Sequence, residues 1–348
     1  MPQSLPSHPK SIITWLLITM AMVYGIIIVG GMTRLTGSGL SMVEWKPIMG
    51  IIPPTSESAW QEVFDKYRQF PEYQKVNRGM SLDEFKRIFY WEYGHRVLGR
   101  MIGMVFFFPF LYFLWQGYIR GKWIGKLLIA FILGGLQGLL GWYMVKSGLV
   151  DEPRVSQYRL AAHLGLALII LGYLFWLVMD MLPRIRSTAK PQGLKIWAVS
   201  GFLLIVLQIF YGALTAGLRA GRVYNTFPDW NGQWLPTGMA QFTPIVLNFF
   251  ENPIMVQLVH RTLAWLLVGV VAVFVLQTFK KTKDFQYRMA ALLLFVTLLL
   301  QFTLGVVTLV LHVPISVASM HQALAVIVLL VATWNLYIYR GPSGSLRS

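Results

Sequence analysis

No cysteine occurs in the 348 residues of this chain. Disulfides, thiolate nucleophiles, Fe–S clusters and covalently attached c-type haem are therefore excluded. Charge is scarce as well. Charged residues make up 13% of the sequence, about half the share usual in soluble domains. Acids are the rarer sign, 14 against 30 Lys and Arg, for a net charge of +16. So few acids would suit a nucleic-acid binder, but the placement of the bases argues against one.

What fills the chain instead is apolar sequence, 56% of all residues. Eight stretches, near 12–32, 91–115, 127–145, 160–181, 196–217, 256–279, 289–310 and 317–339, are each long enough to cross a hydrocarbon layer of about 30 Å. The bases sort by loop. The N-terminal tail, the loops after the second, fourth and sixth stretches and the C-terminal tail hold 14 Lys and Arg, with only Asp180 and Asp284 as acids. The opposite loops are mixed, with 13 basic and 11 acidic residues. Short basic loops stay on the cytoplasmic side. Both termini are thus expected inside, with the excess charge attracted to anionic lipid. The first ten residues are too short and too poor in Arg for a mitochondrial transit peptide, and the first apolar run lacks a cleavage site, so it is expected to remain as a span. The expected location is a bacterial cytoplasmic (inner) membrane.

The chain also repeats itself after four stretches. Leu136-Gln137-Gly138-Leu139-Leu140-Gly141 is matched by Leu300-Gln301-Phe302-Thr303-Leu304-Gly305, and Tyr24-Gly25 by Tyr211-Gly212. Four spans per copy give both copies one orientation. The predicted fold is all-α, a polytopic membrane protein of eight transmembrane helices in two parallel four-helix repeats. Residues 1–190 form the N-terminal half and 191–348 the C-terminal half, joined near 183–192. Two outer loops are long. In the first, 57–70 and 82–89 are expected to form amphipathic helices on the surface. Loops of such length are often lids, though a solvated connector fits equally well.

Four histidines carry the chemistry. His95 and His260 share the pattern His-Arg-x-Leu, and His163 and His321 each precede an aliphatic run. Each lies near the outer end of its stretch. Neutral imidazole is a common axial ligand of haem iron, so two histidines per half suggest one haem site per half. A lone membrane histidine is as readily a core hydrogen-bonding residue or a proton relay; four in matching places favour ligation. Gly99, Ala167, Ala264 and Ala325 follow the histidines by four residues, on the same helix face. They leave room for a macrocycle edge, or simply let helices pack. His312 and His8 have no such counterparts.

Glu92 stands three residues before His95, where Gln257 precedes His260. A carboxylate there is either a chemical group or a structural partner of Arg96. If chemical, the first half reacts and the second only holds a cofactor. Arg96, Arg100 and Arg261 either pair with haem propionates or reach for the outer interface.

These residues resemble the haem A synthase family of cytochrome oxidase assembly. The similarity rests on Gly30-Gly31-Met32-Thr33-Arg34-Leu35-Thr36-Gly37-Ser38-Gly39-Leu40-Ser41, Trp45-Lys46-Pro47, Gly50-Ile51-Ile52-Pro53-Pro54 and Glu92-Tyr93-Gly94-His95-Arg96. In the second half it rests on Gly212-Ala213-Leu214-Thr215-Ala216-Gly217-Leu218 and Tyr224-Asn225-Thr226-Phe227-Pro228. The resemblance implies oxidation of the C8 methyl group of haem O to a formyl group, by two hydroxylations and loss of water. It implies haem b as cofactor on His260 and His321, haem O or haem A between His95 and His163, and Glu92 as catalytic carboxylate. Some members carry paired loop cysteines; this chain resembles the cysteine-free branch. The implied partners are haem O, the haem O synthase, cytochrome oxidase assembly factors and an electron donor the sequence does not identify. The apolar spans add membrane lipid, the placement of the bases argues against nucleic acid, and the sequence leaves open whether the chain is single or a homo-oligomer. A non-catalytic di-haem b-type electron carrier is the competing reading; it explains the histidines but not the exchange of Glu92 for Gln257.

The charge distribution makes a direct prediction. A reporter fused after Ser348 reads as cytoplasmic, and one inserted within 57–72 reads as external. The reverse pattern would move the histidines to the opposite face.

Overall fold

The computed structural model describes residues 10–44, 52–149, 153–182 and 191–340. Among them there is helix and loop but no strand, only an isolated bridge between Trp230 and Gln233. Eight helices are long and apolar enough to cross a membrane: α1 (Lys10–Leu35), α4 (Leu82–Trp115), α5 (Lys122–Lys146), α6 (Gln157–Met181), α7 (Lys195–Gly217), α9 (Pro253–Lys281), α10 (Phe285–Val310) and α11 (Ile315–Tyr339). The shorter α2 (Glu57–Arg68), α3 (Pro71–Lys75) and α8 (Asn248–Glu251) lie in the two long loops. The chain is a multi-pass membrane protein, and each expected span is present, extended by a few residues at its ends. Trp45-Lys46-Pro47, Gly50-Ile51, His8, Ser348 and most of the 183–192 connector lie outside the described residues.

Local chemistry sets the ends. Ser81 and Glu84 form a reciprocal capping box at the start of α4. Asn252 caps α9, with Pro253 at the first helical position. Asp284 caps α10. Many large apolar side chains face outward, among them Phe108, Leu139, Ile169 and Leu203. In lipid that exposure carries no penalty, because the tails are as apolar as the side chains.

The chain divides into two compact units, Met1–Leu174 and Phe175–Ser348. The division falls inside α6. In the second unit α7, α9, α10 and α11 make a ring of neighbours, α7 on α9, α9 on α10, α10 on α11 and α11 on α7. In the first, α1 packs along α4, tied by the Trp15 indole N–H to the carbonyl of Val105 at 2.8 Å. Tyr173 Oη donates to the carbonyl of Lys126 at 3.0 Å, joining α6 to α5.

The first outer loop differs from expectation in one respect. The helix expected over 57–70 is present as α2, but 82–89 is not a separate surface helix. It is the first part of α4, whose 34 residues span about 51 Å at 1.5 Å per residue, far more than the roughly 30 Å of a hydrocarbon layer. The extension persists because α2 packs on it through aromatic side chains: Phe64 stacks on Phe85 with ring centres 4.9 Å apart, and Trp60 meets Phe89 edge-on at 5.0 Å. The second long loop is held by amides instead. Asn248 and Asn252 are fully buried and bond the backbone at Phe242 and Gly238, and Asn225 donates to Gly221 and Leu309, both at 2.8 Å.

Beneath α2, the Tyr67 hydroxyl donates to Glu72 Oε2 at 3.1 Å and accepts from the Asn77 amide at 2.8 Å. Burial lifts the Glu72 carboxyl to about 7, with the charge of Glu92 adding to the rise and the Tyr67 bond opposing it. The folded chain therefore binds this proton more tightly than the unfolded chain. The stabilisation is full below the ordinary value of 4.5 and is lost as pH rises to about 7. Glu72→Gln keeps the hydrogen-bonding shape and removes the titration. We expect the variant to exceed the original chain in stability by about 1–3 kcal/mol at pH 8 and to match it near pH 4, read from thermal midpoints across that range.

Candidate functional site

Each of the four histidines rests on a glycine of a neighbouring helix. A Cβ placed on Gly30 of α1 would stand 3.0 Å from Nε2 of His95 on α4. The same construction puts Gly141 of α5 at 2.9 Å from Cε1 of His163 on α6. In the second unit it puts Gly212 of α7 at 3.3 Å from Cε1 of His260 on α9, and Gly305 of α10 at 2.9 Å from Cε1 of His321 on α11. Any larger residue at these positions would displace the ring. The seats also bring the rings together in pairs: His95 lies within electrostatic reach of His163, and His260 within reach of His321.

The seat pattern corrects one detail of the internal match. Gly212 corresponds in its contact to Gly30, not to Gly25, beside which a Cβ would meet nothing within 4 Å. The clearance expected at Gly99 is shared with Ile26, whose Cδ1 lies 3.5 Å from a Cβ built there.

Three seats carry a second feature one helical turn earlier. Gln137 Nε2 donates to the carbonyl of His163 at 3.0 Å and approaches its ring Nε2 at 3.5 Å. Gln208 Nε2 donates to the carbonyl of His260 at 3.1 Å and lies 3.2 Å from ring Nδ1. Gln301 Nε2 lies 3.1 Å from Nδ1 of His321 and 3.3 Å from its Nε2. The corresponding turn before Gly30 holds Ile26.

Glu92 is buried at 3% exposure and fully engaged. Its Oε2 accepts from Ser41 Oγ at 2.8 Å and from the Met42 amide at 2.9 Å, and its Oε1 accepts from Arg96 Nη2 at 2.6 Å. The motif from Thr33 to Ser41 makes this possible. Thr36 returns to the Met32 carbonyl and bonds Ser38, Gly37 turns the chain with φ of +66°, and Ser41 arrives over the start of α4. Arg96 extends the clamp to the carbonyls of Met42 and Glu44. In the second unit Gln257 donates to the carbonyl of Tyr224 at 2.9 Å, and Arg261 to those of Pro228 and Asp229 while stacking on Trp230. In both units the residue three before a histidine and the arginine after it fasten the outer loop. The structural pairing of Glu92 with Arg96 is therefore present, alongside any chemical use of the carboxylate. Arg96 and Met42 also line a cavity of about 370 Å³ with Arg100, Lys66, Tyr93 and Phe89.

Sequence reasoning did not assign the glycine seats or the glutamines. The signal was the Gln-x-x-x-Gly spacing shared by 137–141 and 301–305, with 208–212 as a third copy, which puts both residues on one helix face.

The chain matches the profile of a family described as cytochrome oxidase assembly protein (COX15-CtaA) over residues 13–333. It is 47% identical over 328 residues to the "Heme A synthase" of Nitrosospira multiformis, covering 93% of this chain and 92% of that protein. It is 48% identical over 326 residues to the protein of that name in Nitrosomonas eutropha, covering 92% and 91%. It is 46% identical to that of Parvibaculum lavamentivorans over 331 residues, covering 95% of each.

The loop clamps predict unequal losses. Glu92 and Glu72 are the only buried carboxylates among the described residues. Arg96→Ala strands Glu92 and should cost about 3–5 kcal/mol. Arg261→Ala removes bonds to carbonyls, leaves no buried carboxylate behind, and should cost about 1–3 kcal/mol. Thermal midpoints of the two variants in detergent check the order, and equal losses would contradict it.

Proposed function

The chain belongs to the family of cytochrome oxidase assembly proteins, and from that premise we infer that it is a haem A synthase that oxidises the C8 methyl group of haem O to a formyl group. The observation that carries the reading is the unequal doubling of the site. Both units hold a pair of histidines on glycine seats, but only the first places a buried carboxylate one turn before a histidine. The second places Gln257 there, which cannot ionise.

The residues present fit haem. The donor set of each unit is two neutral-imidazole side chains from different helices, the choice that suits a low-charge iron site in lipid. The glycine seats leave space for the rings, and a side chain at any of them would close it. His163 Nδ1 is buried with no partner, a polar atom waiting for one. His260 and His321 would hold a resident haem b, which supplies one-electron transfer when bound. His95 and His163 would flank haem O as substrate. Arg100, on the wall of the loop cavity, is the arginine we assign to a propionate, because Arg96 and Arg261 bond loop carbonyls.

Converting a methyl to a formyl group is a four-electron oxidation. Two C–H bonds are replaced by C–O bonds, with oxygen and the balancing electrons exchanged with an external oxygen source and redox partner. The geminal diol then loses water, so protons must leave the reacting carbon and its oxygens. Glu92 is the ionisable group we assign to that traffic. Ser41, the Met42 amide and Arg96 hold its two oxygens in place, so the carboxylate is oriented before substrate arrives. The same carboxylate fastens the first outer loop to α4, so the attachment of that loop and the position of the base are coupled.

The expected setting is a bacterial cytoplasmic membrane with both termini inside and the histidines toward the outer leaflet. Haem O synthase and cytochrome oxidase assembly factors are its expected neighbours. The relatives lend no support to a di-haem electron carrier.

Haem extraction and chromatography test the reading. Cells that make haem O should contain haem A only when they also express this chain. Glu92→Gln should insert, retain haem b and still take up haem O, while haem A falls at least tenfold. Haem A formed without the chain, or a purified chain that holds only haem b and never changes haem O, would sink the proposal.

A further inference from the structure

The histidine seats are not equivalent. Three of the four consist of a glycine with a glutamine one turn before it: Gln137 with Gly141, Gln208 with Gly212, and Gln301 with Gly305. In each case the glutamine amide lies against the imidazole ring. The fourth seat, Gly30, has Ile26 at the glutamine position, and Ile26 faces α4 one turn from His95. No group among the described residues hydrogen-bonds the His95 ring.

An amide suits this place because it is neutral and carries both functions. Its N–H groups donate to a ring nitrogen lone pair; its carbonyl oxygen accepts from a ring N–H. The carbonyl oxygens of Gln137, Gln208 and Gln301 are all buried without a partner. A buried acceptor with nothing to accept costs free energy unless another state of the molecule uses it. An imidazole that ligates iron through one nitrogen carries its proton on the other, and that N–H needs an acceptor to fix the tautomer and the ring plane. At His260 and His321 the ring is also within reach of the main-chain carbonyl of Gln208 and Gln301, so each glutamine side chain offers a further, unspent acceptor beside its ring. Gln301, which makes no bond to a backbone carbonyl of its histidine, can turn its amide over at least cost.

We propose that Gln137, Gln208 and Gln301 are positioning residues that orient His163, His260 and His321 for ligation, and that Ile26 leaves His95 as the ungripped ligand through which the first unit exchanges haem. The proposal rests on the assignment of haem b to His260 and His321 and of the substrate to His95 and His163. It explains a division of labour that the histidines alone do not. The resident cofactor needs two fixed ligands, so both of its histidines are gripped. A substrate that must enter as haem O and leave as haem A needs one ligand that turns easily.

The test uses the purified full chain with its haem b. Gln301→Leu removes the acceptor and weakens the donation of electron density to the iron, so the haem b midpoint potential rises. Gln301→Glu supplies a stronger acceptor and lowers it below that of the original chain. Charge and polarity alone also move the potential, so the electron paramagnetic resonance signal of the oxidised haem, which reports the planes of its imidazoles, is read alongside. It should change in Gln301→Leu, and a glutamine that only fills space would leave it unchanged. Where either variant accumulates poorly, Ile26→Gln carries the test alone. It adds a grip at His95 and should slow transfer of haem O from the first unit to apomyoglobin by about two- to tenfold, without changing the haem b potential. Unchanged potentials in both Gln301 variants together with unchanged haem O transfer in Ile26→Gln would overturn the inference. A purified original chain that holds no haem b would instead overturn the assignment beneath it, and the inference with it.

Discussion

Everything in the two units depends on the contact between an imidazole ring and a helix backbone stripped of its side chain. A histidine inside a membrane helix is costly unless it has a partner or a use. Here each ring is pressed against Gly30, Gly141, Gly212 or Gly305 at close to 3 Å from where a Cβ would be. That distance fixes how near the paired helices must come: α1 to α4 and α5 to α6 in the first unit, α7 to α9 and α10 to α11 in the second. Small residues at helix contacts are a general device of membrane proteins. In this chain they seat the four histidine rings.

A second constraint ties loop to site. Glu92 and Arg96 do not stand free near His95; they hold Ser41, Met42 and Glu44 over the start of α4. Aromatic packing of α2 on the same extension of α4 holds the rest of that loop. The carboxylate assigned to proton handling is thus also the anchor of the cover above it. Gln257 and Arg261 repeat the anchoring in the second unit with an amide in place of the acid. The two anchors differ in polarity: the first loop and Arg96 donate to both oxygens of an acid, whereas the second loop accepts from an amide. In the first unit the carboxylate is therefore used by the loop as well as assigned to the chemistry.

Much of this was legible in the sequence, for physical reasons. A lipid environment forces long apolar runs, so the eight spans could be read directly. The four histidines and the motifs around them carried the family resemblance. What could not be read depends on the register between helices. Whether Gly25 or Gly30 faces His95 is decided by how α1 slides along α4, and no periodicity within α1 reports that. The role of Gln137 was hidden for the same reason, although its spacing to Gly141 was in plain view. The length of α4 was missed because its outer part, from Leu82 to Phe89, is amphipathic and looks like a surface helix until α2 is known to cover it.

In the proposed function the two histidine pairs have separate duties, a resident cofactor on one and a substrate on the other. The most direct measurement is haem b per mole of purified chain in single histidine variants. On this account His260→Ala or His321→Ala leaves the chain largely without haem b, whereas His95→Ala or His163→Ala leaves haem b close to the original content. Equal loss from both groups of variants would contradict the account.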